Sequence, residues 1–334
     1  MLNAFRIGWI VALAFVLEGC VSSVLEVEGK GTRPVPAALL ADMSRKSMSP
    51  SAPILVRIFK QESELEIWKR DRSGKFALLK TYPMCRWSGQ LGPKKRIGDR
   101  QAPEGFYTVS AGMLNPNSQY YLSFNLGYPN KLEAALGYSG EALMVHGACS
   151  SSGCYALTDE GVAEIYAVAR EAIKAGQESF QVQAFPFRMT PRNMVENRND
   201  PNFSFWTDLK RGYDIFEVTR HQPKVSYCDG RYVFDTEFEG GEPSNVLAAC
   251  PPAVNQPDPK VAARMQSDQV AETGLASSGR VSMAHAYADG GMHPSFRKLL
   301  KRSGEKALAK QTSLTSVPIS RPDAALADPH LPGD

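Results

Sequence analysis

The sequence lacks any strong charge bias: across its 334 residues, 38 basic and 35 acidic side chains leave a net charge of +3. No basic run is interleaved with aromatic residues, so nothing in the composition points to a nucleic-acid partner. Long hydrophobic runs are missing as well. The apolar run from Ile7 to Leu17 is eleven residues long, well short of the about twenty that a membrane-spanning helix needs. No internal repeat is visible, which sets repeat architectures aside. Cysteine is sparse, with six copies at positions 20, 85, 149, 154, 228 and 250. His146, Cys149 and Cys154 match no common zinc spacing and have no second Cys/His pair downstream, so no metal site and no cofactor are expected. What remains is ordinary for a soluble globular protein: 43% apolar and 22% charged residues, in a length that suits one large domain or two average ones.

The N-terminus carries an export signal. Arg6, the apolar run and then Leu17-Glu18-Gly19-Cys20 have the order of a signal peptide over residues 1–20. The last four residues resemble a lipobox, which would lipidate Cys20 and anchor the chain to a membrane from the periplasmic side. Glu18 departs from that pattern, and a plain cleaved leader or an uncleaved anchor stays open. Residues 21–51 are small and polar with Pro34 and Pro36 and read as a tether. Residues 52–235 carry the folded domain, β-rich with a few attached helices (an α+β class) and not a doubly wound sheet. Strands are expected at Ile54–Lys60, Glu64–Arg70 and Phe76–Met84, with a turn at Asp71-Arg72-Ser73-Gly74, and further short ones near 105–110, 120–125 and 142–146. Thr158 caps a helix whose apolar face is Val162, Ile165, Ala169 and Ile173. Phe203, Trp206, Leu209, Tyr213 and Phe216 mark a second helix, best explained by core packing, before a last hairpin at Asp229-Gly230. Residues 236–334, rich in Pro, Ala and Ser, read as a disordered tail and solvated spacer with one short basic helix over 295–302.

The chemistry concentrates in Leu143 to Tyr155. An apolar strand ends on His146, a loop of small residues follows, and Cys154 comes shortly before a helix. A free thiol is mostly protonated at neutral pH. A neighbouring imidazole and a helix N-terminus can prepare it for attack on a carbonyl. The backbone amides of Ser152, Gly153 and Cys154 are placed to receive a developing oxyanion, with Gly153 supplying backbone freedom.

Val145-His146-Gly147-Ala148-Cys149-Ser150-Ser151-Ser152-Gly153-Cys154-Tyr155-Ala156-Leu157-Thr158-Asp159 resembles the signature of YkuD-type L,D-transpeptidases, in the form found in their YafK-like branch. Ser88-Gly89, Leu91-Gly92-Pro93-Lys94, Gly98-Asp99 and Pro103-Glu104-Gly105-Phe106-Tyr107 fit the same branch. The resemblance implies a catalytic domain over roughly residues 52–235 that acts on peptidoglycan stem peptides. It implies Cys154 as nucleophile, His146 as base, the Gly147 carbonyl as the group that orients the imidazole, and Ser151, Ser152 and Gly153 as shapers of the loop. Two departures stand out: Ser152 replaces a histidine of the family pattern, and Tyr155-Ala156 stands where an arginine is usual. Lys94, Lys95, Arg96, Arg100 and Tyr155 are therefore candidates to hold the substrate's carboxylate, against a solvated basic loop as the plain alternative. Three functions compete: acyl transfer through a thioester at the L-centre of meso-diaminopimelate, hydrolysis of a diaminopimelate-linked amide such as a lipoprotein attachment, and non-catalytic wall binding. Pairing among Cys85, Cys149, Cys228 and Cys250 stays open, with Cys228–Cys250 a plausible pair.

Overall fold

The computed structural model describes residues 29–279, 281–284, 287–314 and 317–326. The leader, Cys20, residues 21–28 of the tether and residues 327–334 of the tail lie outside the described residues.

The hydrophobic strand β1 (Ile54–Phe59) is buried at every position and sits mid-sheet. It pairs antiparallel with β2 (Glu64–Arg70) and parallel with β10 (Ser179–Phe185). β3 (Phe76–Pro83) and β5 (Gly105–Ser110) close the two edges in the order β3-β2-β1-β10-β5. A second sheet runs β4-β9-β8-β7-β6, from Arg86–Trp87, Tyr155–Ala156, Met144–His146, Ser123–Asn125 and Leu114–Asn115 respectively. The main core gathers Val56, Ile58, Ile67, Val145, Val162 and Ile165.

The first helix, α1 (Ala37–Arg45), lies in the expected tether and packs Leu39 and Met43 into that core. Two apolar residues four apart form a stripe one side chain wide, which a small, polar composition conceals. After the short α2 (Lys131–Ala135) comes α3 (Asp159–Lys174). Its cap forms as anticipated: the Thr158 hydroxyl accepts from the Gly161 amide at 3.0 Å. α4 (Pro191–Glu196), α5 (Phe203–Thr219) and the hairpin β11–β12 (Val225–Cys228, Arg231–Phe234) enclose a second, aromatic core with Phe106, Trp206 and Tyr213. The packing role expected for the α5 aromatics is what they perform.

The tail carries more structure than its composition suggests. α6 (Pro259–Ser278) packs on α4 and α5, where Lys210 meets Asp268 at 2.6 Å. α7 (Pro294–Thr312) includes the expected basic helix but runs further, with a break at Gly304, and α8 (Pro322–Ala325) follows. Leu300 and Leu308 of α7 are buried with Met292, Ile319 and the two cysteines Cys85 and Cys149. The physical reason resembles that for α1: a few apolar anchors, here one on either side of the Gly304 break, suffice where a partner surface waits.

Candidate active site

β8 and β9 are adjacent and parallel, with Val145 opposite Tyr155 and His146 opposite Ala156. Side chains alternate along a strand, so this register puts His146 and Cys154 on one face and Val145 and Tyr155 on the other. Both His146 and Cys154 line a cavity of about 280 Å³, together with Lys94, Tyr120, Ser150 and Ser152. The segment between them, residues 147–154, connects two neighbouring parallel strands with little room to spare.

Most loop residues are held by a named partner. Gly147 has no space for a side chain, since a Cβ there would sit 2.5 Å from Asp159 Oδ1. That carboxylate accepts the Ala148 amide at 2.8 Å. The Ser151 hydroxyl donates to the Cys154 carbonyl at 2.7 Å, accepts the Gly153 amide at 3.3 Å and meets Ser88 Oγ at 2.9 Å. Gly153 has φ +133°, a conformation that L side chains resist. The exposed Ser152 receives a hydrogen bond from Arg100 at 2.9 Å. Cys149 is bonded to Cys85, and Cys228 to Cys250, which resolves the open pairing and leaves Cys154 as the free thiol among the described residues. With its sulfur in that bond, Cys149 offers no thiolate for a three-residue metal site.

His146 is 2% exposed, and its Nδ1 lies 2.5 Å from the Gly147 carbonyl oxygen. Burial pushes the imidazole down to about 4, against a smaller upward pull from the Gly147 carbonyl. Burial likewise pushes the Cys154 thiol up, opposed by the Met144 amide and the charge of Lys94. Burial thus favours the neutral form of both groups.

The expected carboxylate ligands separate on inspection. Lys94 lines the cavity, but its ammonium is already held by Asp99 at 2.5 Å and by the Arg96 carbonyl at 2.9 Å. The exposed Arg96 is not among the cavity's lining residues, nor is Lys95. Tyr155 points into the core and donates to the Pro103 carbonyl at 2.5 Å, which corrects its placement among substrate contacts. Its strand position decides this, being one residue out of phase with Cys154.

Residues 54–174 match the family model of YkuD, the L,D-transpeptidase catalytic domain. The L,D-transpeptidase-family protein YafK of Escherichia coli (strain K12) is 42% identical over 222 residues, which is 66% of this chain and 87% of the relative. The chain belongs to the YkuD-type L,D-transpeptidase family. The YafK protein of Escherichia coli O157:H7 matches to the same extent. Among solved structures, the helical cell shape determining protein Pgp2 from Campylobacter jejuni shares 17% identity at a TM-score of 0.33, covering 73% of this chain and 77% of its own. Bd1075 of Bdellovibrio bacteriovorus shares 14% identity at a TM-score of 0.29, covering 52% and 76%.

Several residues around this cavity escaped the sequence reading. Tyr120 sets its ring 4.7 Å from that of His146, at 31° between planes. For the site, Asp159 stood in the sequence only as the last residue of the quoted motif, yet from the first turn of α3 it braces the loop. Asp289 and Ser320 reach the site from the far end of the chain, where no local pattern marks them.

Proposed function

We propose that this chain is an exported cysteine acyltransferase acting on peptidoglycan stem peptides, with Cys154 as nucleophile and His146 as general base. One observation carries the reading: the β8/β9 register sets both side chains on one face of a shared cavity, with the imidazole held through Nδ1 by the Gly147 carbonyl. That hydrogen bond keeps the proton on Nδ1 and presents Nε2 as the acceptor. Gly147 thus fills the place that a carboxylate takes in other triads.

The reaction runs as two acyl transfers. Cys154 Sγ attacks the carbonyl at the L-centre of meso-diaminopimelate while His146 Nε2 takes the thiol proton. Burial favours the neutral forms of both groups, so proton transfer accompanies attack. The tetrahedral oxyanion is received by backbone amides of the 152–154 segment. The Ser151 amide is committed to Ser320 and the Gly153 amide to Ser151 Oγ, so Ser152 and Cys154 supply the donors. Collapse breaks the C–N bond, the leaving amine takes the proton from His146, and a thioester remains on Cys154. An acceptor amine or water then attacks that thioester, with His146 again moving the proton, and the thiol is regenerated. An amine gives a transpeptidase, and water gives a hydrolase such as one that releases a wall-linked lipoprotein.

In the same reading, the leader delivers the enzyme to the periplasm and a lipid on Cys20 anchors it; a Cys20→Ser variant that stayed with the membrane fraction would remove the anchor from the proposal. The central test is intact mass after incubation with a carbapenem or a diaminopimelate-containing tetrapeptide. A one-to-one adduct on wild type and none on Cys154→Ala is expected. No adduct on folded, reduced-thiol wild type with either compound would leave wall binding without catalysis as the better reading. Products with and without an added amine acceptor then separate transpeptidase from hydrolase.

A further inference from the structure

The chain returns to the nucleophile loop long after the catalytic domain has ended. Gly291 pairs with Trp87 through two backbone hydrogen bonds, at 3.1 and 3.2 Å, on the edge of the sheet that carries Cys154. Gly290 lies so close that a Cβ would fall 2.0 Å from the Trp87 oxygen, so this crossing requires glycine. The neighbouring Asp289 accepts from Arg100 at 3.1 Å, and the same guanidinium donates to the Ser152 hydroxyl at 2.9 Å and the Ser151 carbonyl at 3.1 Å. Further on, the Leu314 amide donates to Asp159 Oδ2 at 2.6 Å, while Oδ1 of that carboxylate holds the Ala148 amide. Finally Ser320 grips the loop at two points: its hydroxyl accepts the Ser151 amide at 2.8 Å and donates to the Ser151 carbonyl at 2.9 Å.

We propose that this C-terminal strap is a working part of the catalytic apparatus, with Ser320 as a positioning residue for the oxyanion-binding loop. The inference rests on the acyl-transfer reading of Cys154. Ser151 is the hub: its hydroxyl holds the Cys154 carbonyl and the Gly153 amide, so its position fixes the peptide planes that follow. Ser320 in turn satisfies both backbone groups of Ser151. Removing the hydroxyl leaves the Ser151 amide without its partner and the Ser151 carbonyl on Arg100 alone, which lets the donors of Ser152 and Cys154 drift from the place where negative charge develops. Catalysis by preorganised donors is sensitive to such drift, because their value depends on being in place before the charge appears. The thiol has a contact that does not pass through Ser320: Cys154 directly precedes β9, which β4 and β8 flank, and its Sγ donates to the Ala142 carbonyl at 3.8 Å. Loss of Ser320 should therefore impair the acyl-transfer step and spare the nucleophile.

The two effects separate by reagent. Alkylation of Cys154 by iodoacetamide expels iodide and builds no oxyanion, whereas acylation by a carbapenem does. In the full-length protein, Ser320→Ala should be acylated roughly 10- to 100-fold more slowly than wild type, with its alkylation rate unchanged. Ser320→Thr, which keeps the hydroxyl, should restore acylation. Arg100→Gln supplies a second variant, at a side chain 26% exposed, and should lower the limiting acylation rate at saturating carbapenem even if Ser320→Ala folds poorly, whereas loss of a mere substrate contact would raise only the half-saturating concentration. Wild-type acylation rates in folded Ser320→Ala and Arg100→Gln, or alkylation that falls in step with acylation, would overturn the strap's role alone. Absence of acylation in wild type would instead overturn the acyl-transfer reading beneath it.

Discussion

Lowering the pH tests how deeply the base is held. His146 is 2% exposed, and burial depresses it to about 4 from an ordinary 6.5. A gap of that size is worth roughly 3 kcal/mol of folding free energy. The direction follows from which state binds the proton. Above pH 6.5 the imidazole is neutral in both states, and its contribution is complete. Between 6.5 and 4 the unfolded chain takes up a proton that the folded chain refuses, so stability falls as the pH falls. Below about 4 both states are charged and the loss is complete. Two buried carboxyls act in the opposite direction: burial raises Glu62 and Glu133 to about 7 each, so their protonation favours the folded state as the pH drops. The comparison must therefore be wild type against His146→Gln, which shares those carboxyls. Urea unfolding with disulfides intact, at intervals from pH 7 to pH 4, should show the stability difference between the two proteins shift by roughly 3 kcal/mol against wild type. With a slope of about 3 kcal/mol/M, that is about 1 M in relative midpoint. The acylation rate should have its acid limb near pH 4 for the same reason. A stability difference that is flat with pH, together with an acid limb near 6.5, would mean a solvated imidazole and would refute the buried-base geometry.

Other perturbations have equally definite signs. Replacing Cys85 and Cys149 together by serine opens a cross-link of sequence separation 64, and chain entropy puts the cost at about 4 kcal/mol. The same change at Cys228 and Cys250, separation 22, should cost about 3 kcal/mol, and chemical denaturation of the two variants gives the order. Tyr155→Phe leaves the Pro103 carbonyl without its donor and should lower stability by about 1–3 kcal/mol while leaving KM for a stem peptide unchanged. A raised KM would return Tyr155 to the substrate contacts. Glu104→Ala should be the most damaging single change outside the site. It strands the fully buried Lys60 ammonium, 2.8 Å away, and the Trp206 indole N–H, for about 3–5 kcal/mol by thermal or urea unfolding.

What the sequence made legible was whatever is encoded locally. Thr158 followed by Asp159 and Glu160 announces the start of α3 because a cap and first-turn acids act within one turn. Asp229-Gly230 announces the last hairpin because its turn needs positive φ at adjacent residues, which both adopt. His146 and Cys154 stood out because a thiol and an imidazole flanking small residues are uncommon, and their motif resembled a known one. The misplacements arose where the deciding partner is distant or unremarkable. Lys94 looked like a free cation for a carboxylate, but Asp99, five residues on, already neutralises it. Tyr155 borders Cys154 in sequence and faces the core instead of the cavity, a distinction that depends on knowing that β9 begins at Tyr155. α1 and α7 hid in polar composition because each buries only a pair of anchors, Leu39 with Met43 and Leu300 with Leu308.

The cysteine pairing shows why a motif is not yet a site. Three pairings were open for four cysteines. The choice follows from sheet order: β9 lies between β4 and β8, with Arg86 and His146 both opposite Ala156, so Cys85, just before β4, is level with the loop where it leaves β8 and meets Cys149 there. That loop cannot hold its own shape. It is short, rich in serine and glycine, and bridges adjacent parallel strands that ordinarily need a longer crossover. Its geometry must be imposed from outside: by the disulfide at Cys149, by Asp159 at Ala148, by Ser88 and Ser320 at Ser151, and by Arg100 at Ser152. The motif residues supply the reacting groups and leave space for them. The partners that fix distance and direction are spread from position 85 to position 320, so positioning in this enzyme is a property of the whole chain.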